Sequence, residues 1–351
     1  MPQHSCPFAS AALVRLAGEH AIFNTSFSTN AESAVLIDAA TGRVLYEKDA
    51  DRVMPIASTT KIMTALTALE YVSPDDIVTI PDEAAGTEGS SMYAKAGQTY
   101  PVGDILNGLM LLSGNDAAAA LAIHCAGSVE DFAAAMNRKA AELGMTNTVF
   151  KNPHGLWDEN FSTARDMALL ARAAMTNEEF KKIVKQKYGV VGDISVRNHN
   201  RLLWTLPGCD GLKTGFTKLA GRCLVSSAER EGARFVAVTL KDSNDWADHT
   251  KMHEYAFAEY KPRVFCEPGY FCDVNVMFGA KSQLRLVSPQ GLTVPLTDGE
   301  ARRVTVKVTV PRYLCAPIVG GRGYGEISVW LDGELLARTV LVAEKAMAID
   351  N

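Results

Sequence analysis

Ordered alternation of apolar and polar positions begins at residue 31. SAVLID and RVLYEKD flank AATG, which predicts a β-hairpin closed by a glycine-containing turn. The following ASTTKIMTALTALEYV puts Ile62, Leu66 and Leu69 at helical spacing, behind serines and threonines able to cap an N-terminus. A loop rich in Gly and Ser (DEAAGTEGSSMYAKAGQTY) leads into VGDILNGLMLLSGNDAAAALAIHCAG, two helical halves interrupted at Ser113-Gly114-Asn115. Residues 129–143 and 162–176 read as further helices. LKTGFTK and the hairpin CLVSSAER-EG-ARFVAVTLK then read as strands, and a helix over about 244–260 closes the unit. Strands at both ends with helices between them predict an α/β (α+β) unit whose sheet pairs its first strand with its last.

Around Pro262 the pattern changes. RRVTVKVTV alternates strictly, with Val304, Val306, Val308 and Val310 on one face and Arg303, Thr305, Lys307 and Thr309 on the other, as expected of a half-buried strand. GEISVWLDGELLARTVLV reads as a strand pair turned at Asp332-Gly333. No helical period interrupts 263–345, so a separate all-β domain is expected there. The chain thus divides into an N-terminal segment (1–30), an α/β domain (31–262), a β-sandwich-like domain (263–346) and a tail (347–351). A length of 351 residues is ample for two cores.

Composition removes some function classes. With 35 basic and 40 acidic residues the net charge is −5, and no basic cluster occurs, so a nucleic-acid partner is not expected. Seven scattered cysteines (6, 125, 209, 223, 266, 272 and 315) form no C-x-x-C pair and no zinc-type spacing. A Cys266–Cys272 disulfide is an alternative to buried free thiols, which are the expected state. No apolar run reaches the length of about 18 residues that a membrane span needs. PFASAALVRLAGEHAIF is partly apolar, but Arg15, Glu19 and His20 interrupt it, so the first 30 residues read as a degenerate or partial export signal.

Three short stretches could carry chemistry. In PIASTTKIMTAL, Ser58 and Lys61 lie three residues apart, on one face of a helix's first turn. A serine hydroxyl needs a neighbouring base to become a nucleophile, and a lysine kept neutral by desolvation or nearby positive charge can be that base. A plain N-cap turn is the bland reading of the same residues. Ser113 and Asn115 sit at the helix break. There the serine could pass protons between Lys61 and a leaving amine, and the carboxamide could hold the lysine or a substrate amide. Lys213-Thr214-Gly215 falls on a predicted strand. At a sheet edge that strand could pair with an extended substrate, the Lys and Thr binding a carboxylate and the Gly permitting close approach. Each stretch alone is weak. S-x-x-K, S-G-N and K-T-G in this order, on helix, helix break and strand, form the motif set of penicillin-binding proteins and class A β-lactamases.

With these residues the chain resembles the D-alanyl-D-alanine carboxypeptidases of the low-molecular-mass penicillin-binding protein family. The resemblance runs over about 31–345 and includes AVLIDAATGRVLYEKDAD, LLSGNDAAAALA, NPHGL, STARDMALLA, NHNRLLW and DGLKTGFT. It implies a serine β-lactamase/transpeptidase-like domain followed by an all-β domain. It further implies that Ser58 attacks the carbonyl between the terminal D-alanines of a peptidoglycan stem peptide, with Lys61 as base. The backbone amides of Ser58 and Phe216 would form the oxyanion hole, D-alanine would leave through the Ser113–Lys61 network, and Lys213 and Thr214 would bind the terminal carboxylate beside Gly215. Peptidoglycan ending in D-Ala-D-Ala is the implied substrate and β-lactams the implied covalent inhibitors. No metal or organic cofactor is implied, and the location is extracytoplasmic.

The chain departs from the family's pattern in three places. His199, Arg201 and Arg222 are candidates for an additional carboxylate-binding cation where the family often has an arginine, and NDWADH carries none. The chain ends at EKAMAIDN without the usual amphipathic membrane helix, which leaves a peripheral membrane location open, and the export signal is poor. His154 in NPHGL is expected to be a hydrogen-bonded structural histidine. A class A β-lactamase would need an E-x-x-L-N stretch, and none occurs between Asn115 and Lys213. A D,D-endopeptidase would share the same motifs, whereas a non-catalytic wall-binding protein would normally have lost Ser58 or Lys61.

Overall fold

The computed structural model describes residues 27–350, so the signal-like stretch falls, up to residue 26, outside the described residues. The described chain divides after Ala256 into two compact units. In the first, β1 (Ser33–Asp38) and β2 (Val44–Lys48) form the expected hairpin. The helices α1 (Lys61–Ala68), α2 (Val102–Leu111), α3 (Asn115–Ala126), α4 (Val129–Glu142) and α5 (Ala164–Ala174) follow. The chain then forms β3 (Cys209–Thr217), β4 (Gly221–Arg230), β5 (Ala233–Leu240) and α6 (Asp245–Glu259).

The sheet order is β2-β1-β5-β4-β3. As expected, the first strand pairs antiparallel with the last, from Ser33 opposite Leu240 to Asp38 opposite Phe235. Strand β3 is left at the edge, with one side on β4 and the other toward the turn that carries Ser58. Every residue of α1 is buried, and the helix packs against α2, α3, α4 and α5. A helix enclosed on all sides cannot shift without disturbing the core, so it is a rigid mount for Lys61.

Several short elements were absent from the sequence-based expectation, among them the helix Glu178–Val184 and two hairpins. Tyr188–Val191 and Ile194–Arg197 form a small hairpin, and Ile77–Thr79 pairs with Thr99–Pro101 at the ends of the Gly/Ser-rich loop. The two hairpins consist of strands of three or four residues, too short for period-2 alternation to stand out.

The second unit holds a six-stranded sheet and a separate strand pair, Lys261–Cys266 with Leu292–Leu296. Its core includes Leu286, Val294, Leu296, Val329 and Leu341. Two expectations need correction here. Asp298–Ala301 is a short helical turn, made by a capping box in which Thr297 and Glu300 satisfy each other's backbone N–H groups. In strand Val304–Thr309, the face expected to be buried is largely open: Val306, Val308 and Val310 are 44%, 46% and 36% exposed. Alternation locates the face but does not supply a covering layer, and this strand is the sheet's outermost member. The six described cysteines are all free, including Cys266 and Cys272, with Cys223 and Cys266 buried and Cys315 exposed. No helix among the described residues is long and apolar enough to cross a membrane.

Candidate active site

Ser58 lies in a single 3-10 turn, Ala57–Thr60, that runs directly into α1. Neither the turn nor α1 has a side-chain cap, so the Ser58 hydroxyl is not used as an N-cap. Ala57 has φ +46°, a left-handed conformation rare for a residue with a side chain. Two glycines permit the close packing that holds it. A Cβ on Gly155 would fall 1.9 Å from the Ala57 carbonyl oxygen, and one on Gly215 would lie 3.1 Å from the Ser58 nitrogen. The NPHGL loop and the K-T-G strand therefore close on the serine's turn from two sides.

Lys61, wholly buried, points its Nζ at three oxygens: Ser58 Oγ at 3.0 Å, Asn115 Oδ1 at 2.7 Å and the His154 carbonyl at 2.9 Å. Burial, and then the positive charge of Lys213, hold its pKa well below the ordinary lysine value; Asp116 opposes this shift. Asn115 is oriented in turn, because its Nδ2 donates to the Glu88 carbonyl at 2.6 Å. The carboxamide oxygen is thereby left facing the amine.

The interruption between α2 and α3 has a local cause. Ser113 takes φ +63° after Leu112, the Gly114 N–H donates to the Gly108 carbonyl at 2.9 Å, and Asn115 opens α3. Asp116, one residue on, ties down the preceding loop. Its carboxylate accepts from the N–H groups of Met92 and Ala94 and from the Ser91 hydroxyl. Sequence reading missed Asp116; its signal was an acidic residue in the first turn of a helix that begins on a candidate site residue. Ser113 is 6% exposed at the same break, and its hydroxyl makes no hydrogen bond to Ser58 or Lys61 in this state.

Lys213 is buried, its Nζ donating to the Thr214 carbonyl at 2.9 Å, and desolvation lowers its pKa to about 7. Thr214 and Gly215 follow on the same strand, and Phe216 is 68% exposed. Of the additional cations, Arg222 is held by Asp245 at 2.8 and 3.0 Å. Desolvation first, and then the charge of Lys213, lower the His199 pKa. The His154 ring accepts the Leu156 N–H on Nδ1 at 3.1 Å and meets Trp157 edge-on. Its pKa falls to about 4, through burial first and then the neighbouring Lys61. The ring is thus structural, while its backbone carbonyl is what reaches the amine, a contact with no signature in the residue type.

Comparison with known proteins agrees with the resemblance drawn from the motifs. The D-alanyl-D-alanine carboxypeptidase family, peptidase family S11, matches residues 20–244. The chain belongs to this family. Residues 267–348 match the C-terminal domain of penicillin-binding protein 5. The D-alanyl-D-alanine carboxypeptidase DacF of Bacillus subtilis is 33% identical over 97% of this chain and 91% of its own. The enzyme DacC of Escherichia coli is 36% identical over 90% and 84%, respectively. The crystal structure of penicillin-binding protein 5 from Haemophilus influenzae superposes with a TM-score of 0.76 at 29% identity, covering 92% of this chain and 99% of that one. S11 membership and the penicillin-binding fold bear out the expected serine transpeptidase-like domain followed by an all-β domain.

Proposed function

We propose that the protein is a serine-type D-alanyl-D-alanine carboxypeptidase that removes the terminal D-alanine from peptidoglycan stem peptides outside the cytoplasm, and that β-lactams acylate the same serine. One observation carries the assignment of roles: a buried amine with a depressed pKa stands 3.0 Å from the Ser58 hydroxyl. A neutral amine has two N–H donors and one lone pair. Asn115 Oδ1 and the His154 carbonyl, both acceptors, take the two donors, so the lone pair is left for the Ser58 proton.

Ser58 Oγ attacks the penultimate D-alanyl carbonyl as Lys61 takes its proton. The Ser58 and Phe216 amides stabilise the developing oxyanion. Ser113 relays the proton to the leaving amine, after which water hydrolyses the ester and restores the serine. Lys213 and Thr214 hold the terminal carboxylate, and the close approach at Gly215 keeps the strand within reach of the nucleophile. The test is benzylpenicillin labelling followed by intact-protein and peptide mass spectrometry, alongside D-alanine release from a peptide ending in D-Ala-D-Ala. The expected result is one adduct on the peptide containing Ser58, lost in Ser58→Ala; labelling that survives the substitution would assign the nucleophile elsewhere.

A further inference from the structure

The NPHGL loop is fixed at its base by two carboxamides. Asn152 Oδ1 accepts the N–H groups of His154 and Gly155 at 3.3 and 2.7 Å, and Asn160 Nδ2 donates to the Thr60 hydroxyl at 3.0 Å and the Asn152 carbonyl at 2.9 Å. Beyond Gly155 the loop runs out to a tip at which Trp157 and Glu159 are exposed. Trp157 and Asp158 both adopt left-handed conformations there, with φ +65° and +52°. Two such residues in succession, neither of them glycine, persist only where their surroundings hold them.

The tip reaches the sheet through a side chain. The Thr217 hydroxyl donates to Asp158 Oδ1 at 2.5 Å and accepts the Ala220 N–H at 3.0 Å, so its single proton is committed to the carboxylate. Thr217 closes the edge strand β3, opposite Gly221 in the terminal pair that β3 makes with β4. The end of a strand paired on one side only is where a sheet opens first. Here that end lies one residue past Phe216, whose amide is assigned above to the oxyanion hole. The same loop touches the turn of the other donor, because Gly155 packs on the carbonyl of Ala57, which precedes Ser58. One loop therefore spans both amides, one at its base and the other at its tip. An oxyanion hole works only while its donors stay at hydrogen-bond distance from the developing charge, and small displacements are costly.

We propose that Asp158 is a positioning residue for the oxyanion hole: by holding Thr217 it fixes the Phe216 N–H relative to the Ser58 N–H, so that the two amides meet the developing charge together. This rests on the roles assigned above to Ser58 and Phe216. Aspartate suits the task on two counts, since it tolerates a left-handed backbone and presents an acceptor on a short side chain. A bond that served the fold alone would change how many molecules are folded, not how fast a folded molecule acylates.

The experiment follows fluorescent-penicillin labelling of the full chain in time, which separates the labelled fraction, the acylation rate constant at saturation and the half-saturating penicillin concentration. Asp158→Gly keeps the backbone freedom and removes the acceptor, and Thr217→Val removes the donor and reads the same bond from the other side should Asp158→Gly not fold. Both are expected to label completely but about 10–100-fold more slowly, the cost of a misplaced donor. Their half-saturating concentration should stay within about threefold, because the loss falls on the transition state. Asp158→Asn and Thr217→Ser retain a hydrogen bond and should recover the rate to within about threefold. The double variant Asp158→Gly/Thr217→Val should be no slower than the slower single, within about twofold, as for two ends of one contact. An unchanged rate constant in Asp158→Gly or Thr217→Val would overturn the proposal and leave the nucleophile assignment standing. So would a smaller labelled fraction whose remainder reacts at the full rate, or an Asp158→Asn as slow as Asp158→Gly. Failure of the unaltered chain to label would instead remove the underlying reading.

Discussion

At the residue scale the proposed mechanism turns on two buried lysines that need opposite charge states. Lys61 must be neutral to accept a proton, and its lowered pKa gives an acid limb: acylation is lost as pH falls through that value and the amine becomes charged. Lys213 must be charged to hold a carboxylate, and its pKa of about 7 gives an alkaline limb as pH rises through it. The rate of penicillin acylation against pH is therefore expected to be bell-shaped. In Lys213→Arg the guanidinium stays charged and the alkaline limb should move up by two units or more, roughly toward the arginine range. Lys61→Arg should fold, as judged by circular dichroism, and acylate about 10²–10⁴ times more slowly, the usual contribution of a general base. Ser58, Lys61, Ser113, Asn115 and the Lys213-Thr214-Gly215 run could be picked from the sequence as candidates because their types and order are chemically unusual together. Glu88 and His154 could not, since each offers only a backbone carbonyl, which every residue possesses.

At the scale of elements, the geometry depends on how closely the loops can approach one another. Gly155 combines φ +78° with direct contact on the Ala57 carbonyl. Gly155→Ala should cost about 2–3 kcal/mol in denaturant unfolding and slow acylation as well, because the displaced loop carries the His154 carbonyl. Helix α6 depends on a different device. Ser226 Oγ sits 2.6 Å from His249 Nδ1 and 2.8 Å from His253 Nε2, and His249 Nε2 is 3.0 Å from Thr239 Oγ1. One hydroxyl can donate to only one of the two rings, so the other ring donates to it. Burial lowers the His253 pKa to about 3 and that of His249 well below its usual value.

A histidine with a depressed folded pKa binds fewer protons in the folded state than in the unfolded one. Stability should thus be intact above about pH 6.5 and decline as pH falls, by about 1.4 kcal/mol per pH unit per histidine until each folded pKa is passed. Thermal melts from pH 7 to 4 should show this decline, and His253→Phe should flatten part of it. The helix itself was readable from its pattern. The cross-strand partners were not, because Ser226 and Thr239 become neighbours of α6 only once β4 and β5 have paired.

For the whole molecule, each unit has its own core, and the division falls inside α6. A chain ending at residue 262 should accordingly keep penicillin acylation within about threefold of the full chain, the behaviour of a domain that folds alone. The two-part organisation was evident in the sequence, because strict period-2 alternation after Pro262 replaces mixed helical and strand patterns. The openness of the Val304–Thr309 face was not. Alternation reports which side chains share a face, whereas cover depends on how far the opposing strand pair reaches.

That open strand has a consequence for how the protein behaves in bulk. Among the described residues no strand hydrogen-bonds to its outer edge, and three valines are exposed along it, flanked by the exposed cations Arg302, Lys307 and Arg312, while Arg303 is paired with Asp332. Like charges keep two such borders apart in dilute salt, and their reach shrinks to about 10 Å at 0.1 M. Raising ionic strength should therefore drive reversible clustering, visible as growing light scatter, that Val308→Lys would suppress.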